Sequence, residues 1–285
     1  MGQQTRVRGA VRLVYAADLH GEIALYSALD RLVREAGAQA LILGGDQFAH
    51  TRDPSEQLAF AQGPLDSWLR GLPVPIFVIA GNVDWPAATA ALCGRARRLS
   101  LEPTAVGGAM GAIGYPFVPP TPFRQKWGER RDLRGESLVL PAGAYAPSDD
   151  GVARPLPPGW LDALPSIEDE LSVLWGCDPE RMVWVVHTPP YGCALDTTRS
   201  GAHVGSRALR AALEAAQPAL ALHGHIHESP VTTGRWVERI GRTVCVNPGR
   251  GASAAPLHAV VVDLDAQAGG VVGVWHTVWG DARLG

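Results

Sequence analysis

The sequence predicts a mixed α/β fold. Its first hundred residues alternate apolar runs with stretches of helical periodicity, and its last third returns to apolar runs separated by turn signals. With 285 residues, 46% apolar and 19% charged, the composition is that of a globular protein with a sizeable core. VRLVYAA (11–17) reads as a buried strand ending at Asp18. Ile23, Leu25, Leu29, Leu32, Val33 and Ala36 then recur at helical spacing over 22–36, and Gly37 can end that helix. ALIL is a second strand, running into Gly44-Gly45-Asp46. A helix fits 55–70, with Leu58, Leu65, Trp68 and Leu69 as its apolar face, and PIFVI is a third strand. This β-α-β-α-β order predicts parallel strands covered by helices. RARR at 95–98 reads as a solvated helix end.

The stretch from about 115 to 159 is rich in proline and glycine and has little periodicity. It reads as an insertion or lid within a single domain, 1–285. Phe117, Phe123, Arg124, Lys126, Trp127, Arg130 and Arg131 suit a packed lid, and a surface insertion is the alternative. A short helix is expected over 166–175, a strand in RMVWVVH ending at His187, a helix over 205–216, and a strand in PALALHGHIH. TVCVNPG, LHAVVVDLD and GGVVGVWHTVW read as consecutive strands with antiparallel pairing.

A net charge of -3 with scattered arginines disfavours a nucleic-acid partner. Cys93, Cys177, Cys193 and Cys245 form no C-x-x-C, which points to free thiols in a reducing compartment. No signal-peptide core and no apolar run of membrane-spanning length is present, so the expectation is a soluble cytoplasmic protein with no membrane partner. A homo-oligomer is compatible with this composition.

Polar residues stand at the C-terminal ends of successive strands: Asp18 and His20, Asp46, Asn82 and Asp84, His187, His225 and His227. Ligands of open α/β sheets bind beyond that edge. Any one of these residues alone reads as a turn or core residue; five strand ends each delivering Asp, Asn or His read as a metal site. Imidazole, carboxylate and amide oxygen suit divalent Mn, Fe, Zn or Ni, and there are donors for two ions. Two dications about 3.5–4 Å apart repel by roughly 19 kcal/mol at an effective dielectric near 20, so a bridging carboxylate is expected. Asp46, after two glycines, is the best candidate.

DLH, GGD, GN-x-D, a strand-borne VVH and GHIH, spread over 18–249, resemble the signature of the calcineurin-like metallophosphoesterases. HTPP at 187–190 and HVGS at 203–206 are similar to small prokaryotic phosphoesterases of that group. The resemblance implies a two-sheet β-sandwich flanked by helices. It implies one metal on Asp18, His20 and His227, the other on Asn82, His187 and His225, with Asp46 bridging. It also implies hydrolysis of a small phosphoester by a metal-bridging hydroxide. Two dications less two carboxylates and a hydroxide leave about +1, which a phosphodiester would neutralise.

Many relatives carry a histidine in the middle of the GN turn, thought to protonate the leaving oxygen; here Val83 stands there. Losing such a group forfeits about 10²–10⁴ in rate, so a bias toward good leaving groups is expected. His203 and His223 are the alternative donors read from the sequence, with a core role open for His223. Asp84 is expected to stabilise the turn and Asn247 to support the ligands from behind. Arg250 and Tyr191 are candidate substrate contacts, each with a packing or surface reading beside it. His50, His258 and His276 match no motif and are expected to be structural or exposed. GGAMGAIG is followed by Tyr115-Pro116 rather than a helix and is not read as a nucleotide loop. The expected function is a dinuclear-metal phosphoesterase acting on small phosphodiesters. The rivals are a low-turnover metal- and nucleotide-binding regulatory module and, further off, a nuclease.

Overall fold

In a computed structural model, residues 10–148, 151–173, 178–251, 256–265 and 267–282 are described. Cys177 and the end of the helix expected over 166–175 lie outside them. The parallel strands β1 (Ala10–Ala16), β2 (Ala40–Gly44), β3 (Ile76–Ile79) and β4 (Arg97–Arg98) lie side by side in that order. Between them run α1 (Ile23–Glu35), then α2 (Pro54–Phe60) and α3 (Asp66–Gly71), then α4 (Pro86–Ala91).

Two local expectations need correction. The helix expected over 55–70 carries a π-helical turn at Ala61–Leu65 with Pro64 inside it, because proline has no N–H to donate and crowds the preceding turn. It buries Gln57, Ala61, Leu65 and Leu69, leaving Leu58 only partly covered. Arg97 and Arg98 are the exposed edge strand β4 rather than a helix end; charged side chains there discourage further pairing.

A hairpin of β5 (Thr104–Gly107) and β6 (Met110–Tyr115) opens the second sheet, so the glycine-rich run is a strand turn. The insertion adds the small hairpin β7 (Tyr145–Pro147) and β8 (Ala153–Pro155). Then come α5 (Ile167–Leu171), β9 (Met182–Val186), α6 (Arg207–Ala216), β10 (Leu220–Leu222), α7 (Ser229–Thr233), β11 (Val237–Ile240) and β12 (Thr243–Val246). The chain returns to the first sheet with β13 (Val260–Asp265), β14 (Val271–His276) and β15 (Gly280–Asp281). The sheet orders are β15-β14-β13-β1-β2-β3-β4 and β11-β12-β10-β9-β6-β5.

The tail therefore divides between sheets. β13, β14 and β15 pair antiparallel as expected, whereas β12 sits inside the second sheet, parallel to β10. Its side chains show why. Val244 and Val246 face the core between the sheets and Cys245 faces the helix side, so it is buried on both faces and needs a central position. The same alternation builds four layers, a β-sandwich flanked by helices. Leu13 and Tyr15 meet Val183, Val185, Leu220 and Leu222 between the sheets, while Val14, Leu41 and Leu43 face Leu25, Leu29 and Leu65 on one outer side. Trp184 and Val186 pack on Leu209 and Leu213 on the other. Among the described residues no helix is long and apolar enough to cross a membrane.

Two histidines outside the motifs brace the turn after β12. His276 Nε2 lies 3.0 Å and His258 Nδ1 3.2 Å from the Pro248 carbonyl, which each can reach only as a donor. His276 Nδ1 accepts from the Val278 N–H at 2.9 Å. Burial, with the neighbouring His258, pulls the His276 pKa down to about 4 although the Pro248 carbonyl opposes this. A depressed histidine pKa means the unfolded chain binds more protons between about pH 6.5 and 4, so stability is lost as pH falls through that window. His276→Gln should remove about 2–3 kcal/mol of that pH dependence, read as the difference between urea melts at pH 7.5 and 4.5; an unchanged difference would show that His276 is not the titrating group.

Candidate metal centre

The loops at the C-terminal ends of β1 and β2 meet by backbone pairing, and the loop after β3 joins them through side chains. Asp18 donates its N–H to the Gly45 carbonyl at 3.0 Å, His20 to the Asp46 carbonyl at 2.9 Å and Gly21 to the Gln47 carbonyl at 2.8 Å. Asp84 ties in the third loop. Its buried carboxylate accepts from Gly81 N–H (2.9 Å), Phe48 N–H (3.1 Å) and Gln47 N–H (3.2 Å). Burial and the Asp46 charge push the Asp84 pKa up to about 7 against the pull of those three donors. Gly81 has to be glycine, since a Cβ there would stand 2.0 Å from Asp46 Oδ1.

Five non-glycine residues among those described have positive φ. Gln217 ends α6; the other four are Asp18, His20, Asp46 and His225. Such backbone costs about 1–3 kcal/mol per residue and persists where the surroundings over-determine it. Its concentration in the predicted ligands marks these loops as held for a purpose other than stability.

Asp18, His20, Asp46 and His227 bring ligand atoms within 4.8 Å of one another. His20 Nε2 and His227 Nε2 are 3.1 Å apart, and His227 Nε2 is 3.2 Å from Asp18 Oδ1. On the other side of Asp46, His187 Nε2 lies 3.5 Å from Asp46 Oδ1 and 3.2 Å from Asn82 Oδ1. The His187 ring is oriented by Nδ1, which donates to the Gly44 carbonyl at 2.8 Å. With Nδ1 so committed, Nε2 faces the Asp46 and Asn82 oxygens, and a positive charge, a proton or a metal ion, is needed between them. Burial alone would lower the His187 pKa, but the Asp46 and Asp18 carboxylates raise it to about 9. Burial takes His225 down to about 3, assisted by His187. The Asp46 pKa is lowered despite burial, through His187 and His20. The donor set and its geometry fit divalent metal.

GHIH is held from beneath. Asp18 accepts the His225 N–H at 3.0 Å, and Asn247 Nδ2 donates to the carbonyls of Leu195 (3.0 Å) and Ile226 (3.2 Å). A cavity of about 580 Å³ opens over His20, Asp46, Asn82, His225 and His227, walled by Val83, Pro119–Phe123, Val204 and Ile226. His203 is not among its lining residues; its Nδ1 is paired at 2.6 Å with the buried Asp196. His223 is also outside the lining, fully buried, with Nδ1 donating to the Val186 carbonyl at 3.0 Å. Tyr191 packs against His203 and Arg207, and Arg250 faces Glu22 at 3.7 Å. Trp85 is buried against Trp127.

Residues 11–229 match the family model for calcineurin-like phosphoesterases. The chain belongs to this family. A phosphoesterase of this family hydrolyses phosphate esters with divalent metal, and the Asp–His cluster is where this chain can hold it. One solved structure is similar over 94% of this chain and 99% of its own at 19% identity, with a TM-score of 0.60. TT1561 of Thermus thermophilus is similar over 91% and 96%, at 19% identity and a TM-score of 0.54. A predicted phosphoesterase of Streptococcus pneumoniae is similar over 91% and 86%, at 15% identity and a TM-score of 0.36. Among curated proteins none matches the chain.

Sequence reasoning passed over two residues of this phosphoesterase site. His50 lines the cavity, and the signal was its place four residues after Asp46, in the same loop. Gln57 reaches from α2, its Nε2 donating to the carbonyls of Ala49 (2.8 Å) and Val83 (3.0 Å), so it fixes the His50 loop beside the GN turn. A lone glutamine on an expected solvent face gives no signal.

Proposed function

We propose that the protein hydrolyses small phosphodiesters, using two divalent ions drawn from Mn, Fe, Zn or Ni. The reading is supported by the Asp18, His20, Asp46 and His227 cluster and by His187 beside Asp46, with Asn82 and His225 next to it; we assign one ion to Asp18, His20 and His227, the other to Asn82, His187 and His225, and Asp46 to both. Ions bound there would neutralise phosphoryl oxygens and activate a water. The chain's own contribution is positional. Gly44 orients His187, Asp84 clamps the Asp46 and Asn82 loops together, and Asn247 holds the GHIH turn. One domain, 1–285, carries this site, and a reducing cytoplasmic setting agrees with the free Cys93, Cys193 and Cys245.

The leaving oxygen needs a proton, which Val83 cannot give. His203 is turned to Asp196 and His223 is buried away from the cavity, so His50 is the proposed donor. Chelation should abolish hydrolysis, and Mn-reloaded protein should turn over bis(4-nitrophenyl) phosphate faster than 4-nitrophenyl phosphate. His50→Gln should lower turnover of alkyl leaving groups by about 10²-fold and change 4-nitrophenolate release little. An equal effect on both leaving groups would remove His50 from that role. Val83 also favours a second reading, a metal- and phosphate-binding module with little turnover. Tight binding of Mn and phosphate without hydrolysis of any ester in the panel would decide for it.

A further inference from the structure

We infer that Pro119–Phe123 is a specificity subsite for an uncharged, apolar ester substituent. The preferred substrate would then carry a single phosphate bearing an aryl or similarly flat organic group, rather than a polyphosphate or a nucleic-acid strand. This deepens the proposed function and rests on it for the position of the phosphate.

The first ground is the cavity's chemistry. Beyond the Asp–His cluster its walls include Val83, Val204, Ile226 and the proline-rich segment, and among the described residues no lysine or arginine lines it. Its remaining ionisable lining groups are His50 and Glu228. Arg250, the arginine whose charge reaches the cluster, acts on His20 and His227 and faces Glu22 at 3.7 Å, so along the proline-rich wall a second phosphate or a strand backbone would meet Glu228 with no lining lysine or arginine, whereas recognition of such polyanions depends on those residues. An apolar substituent loses nothing there and removes apolar wall from water.

The second ground is that this wall is built and fixed. Lys126 and Glu129, both fully buried, pair at 2.8 Å. Lys126 Nζ donates to the Thr121 carbonyl at 2.7 Å, and Glu129 accepts from the Thr121 N–H (3.0 Å) and Oγ1 (2.6 Å). The Phe123 N–H donates to Thr121 Oγ1 at 3.2 Å. The same insertion is keyed to the metal turn. Trp127 Nε1 donates to the Asp84 carbonyl at 2.9 Å, and a Cβ on Gly128 would stand 2.4 Å from Asn82 Cα. The proline-rich edge thus sits at a set distance from Asn82. On it Phe123 is 56% exposed, its backbone held by the Thr121 bond, so an aromatic side chain stands open at the cavity wall.

The test compares bis(4-nitrophenyl) phosphate with methyl 4-nitrophenyl phosphate, which share a leaving group and differ only in the retained ester. Phe123→Ala in the full chain should lower the ratio of their kcat/KM values about tenfold, and Phe123→Trp should restore it. In parallel, calorimetry on the Mn-loaded protein should show phenylphosphonate binding more tightly than methylphosphonate, a preference that Phe123→Ala removes. An unchanged ratio, equal phosphonate affinities in the wild type, or tighter binding of a nucleoside triphosphate than of phenylphosphonate would overturn the subsite. If the wild type hydrolyses neither ester while the phosphonate preference stands, it is the proposed hydrolysis that fails and the subsite that survives.

Discussion

Asp46→Ala is expected to lower phosphoester hydrolysis by more than about 10³-fold, well beyond the 10–100-fold typical of changing a group behind a metal ligand. The reason is position. Asp46 Oδ1 is 3.5 Å from His187 Nε2 and Oδ2 is 3.9 Å from His20 Nε2, so one carboxylate faces both donor sets. Its Oδ1 also accepts the Val83 N–H at 3.0 Å, which ties it to the GN turn. If two ions bind as proposed, losing it would remove the negative charge between them and leave their mutual repulsion unopposed there. Metal analysis of the purified variant should find fewer ions per chain than in the wild type. Asp46→Asn separates charge from shape and should resemble the alanine variant in turnover. Hydrolysis within tenfold of wild type in either variant would contradict the bridging role.

Asp84→Asn is expected to destabilise the protein by about 2–4 kcal/mol and to weaken metal binding, although Asp84 faces no ligand set directly. Three backbone N–H groups converge on its two oxygens: Phe48 on Oδ1, Gly81 and Gln47 on Oδ2. An asparagine presents an amide with donors of its own toward one side of that convergence, so buried N–H would confront N–H. Because those donors belong to the loops that carry Asp46 and Asn82, relaxation there moves both ligand sets together. Urea denaturation of the metal-free protein gives the stability term, and Mn titration gives the binding term. A variant that melts like the wild type and binds Mn equally well would show that the clamp is dispensable.

Much of this phosphoesterase was legible before its structure. The sandwich's parallel half follows from strand–helix alternation, because a parallel strand needs a covering crossover and that crossover has its own periodicity. The ligand candidates were legible for a related reason: a polar residue directly after a buried apolar run must lie at a strand end, and strand ends of one sheet share an edge. That the insertion could pack was legible in its aromatics and charges; the way it folds was not. Its fold rests on the buried Lys126–Glu129 pair and the Trp85–Trp127 contact, and no local pattern says which partner each of these residues finds. The choice among His50, His203 and His223 was equally closed, since nothing local says which imidazole reaches the cavity.

By itself, then, the sequence determined the strand edges, the residue types gathered on them and the gap left by Val83, because those depend on local periodicity and spacing. Only the tertiary structure decided which sheet β12 joins, that His203 belongs to Asp196, and that His50 and Phe123 line the cavity over the Asp–His cluster. Those outcomes depend on which buried charge, hydrogen bond or apolar face finds its partner across the chain, and that pairing energy is written between segments rather than within them.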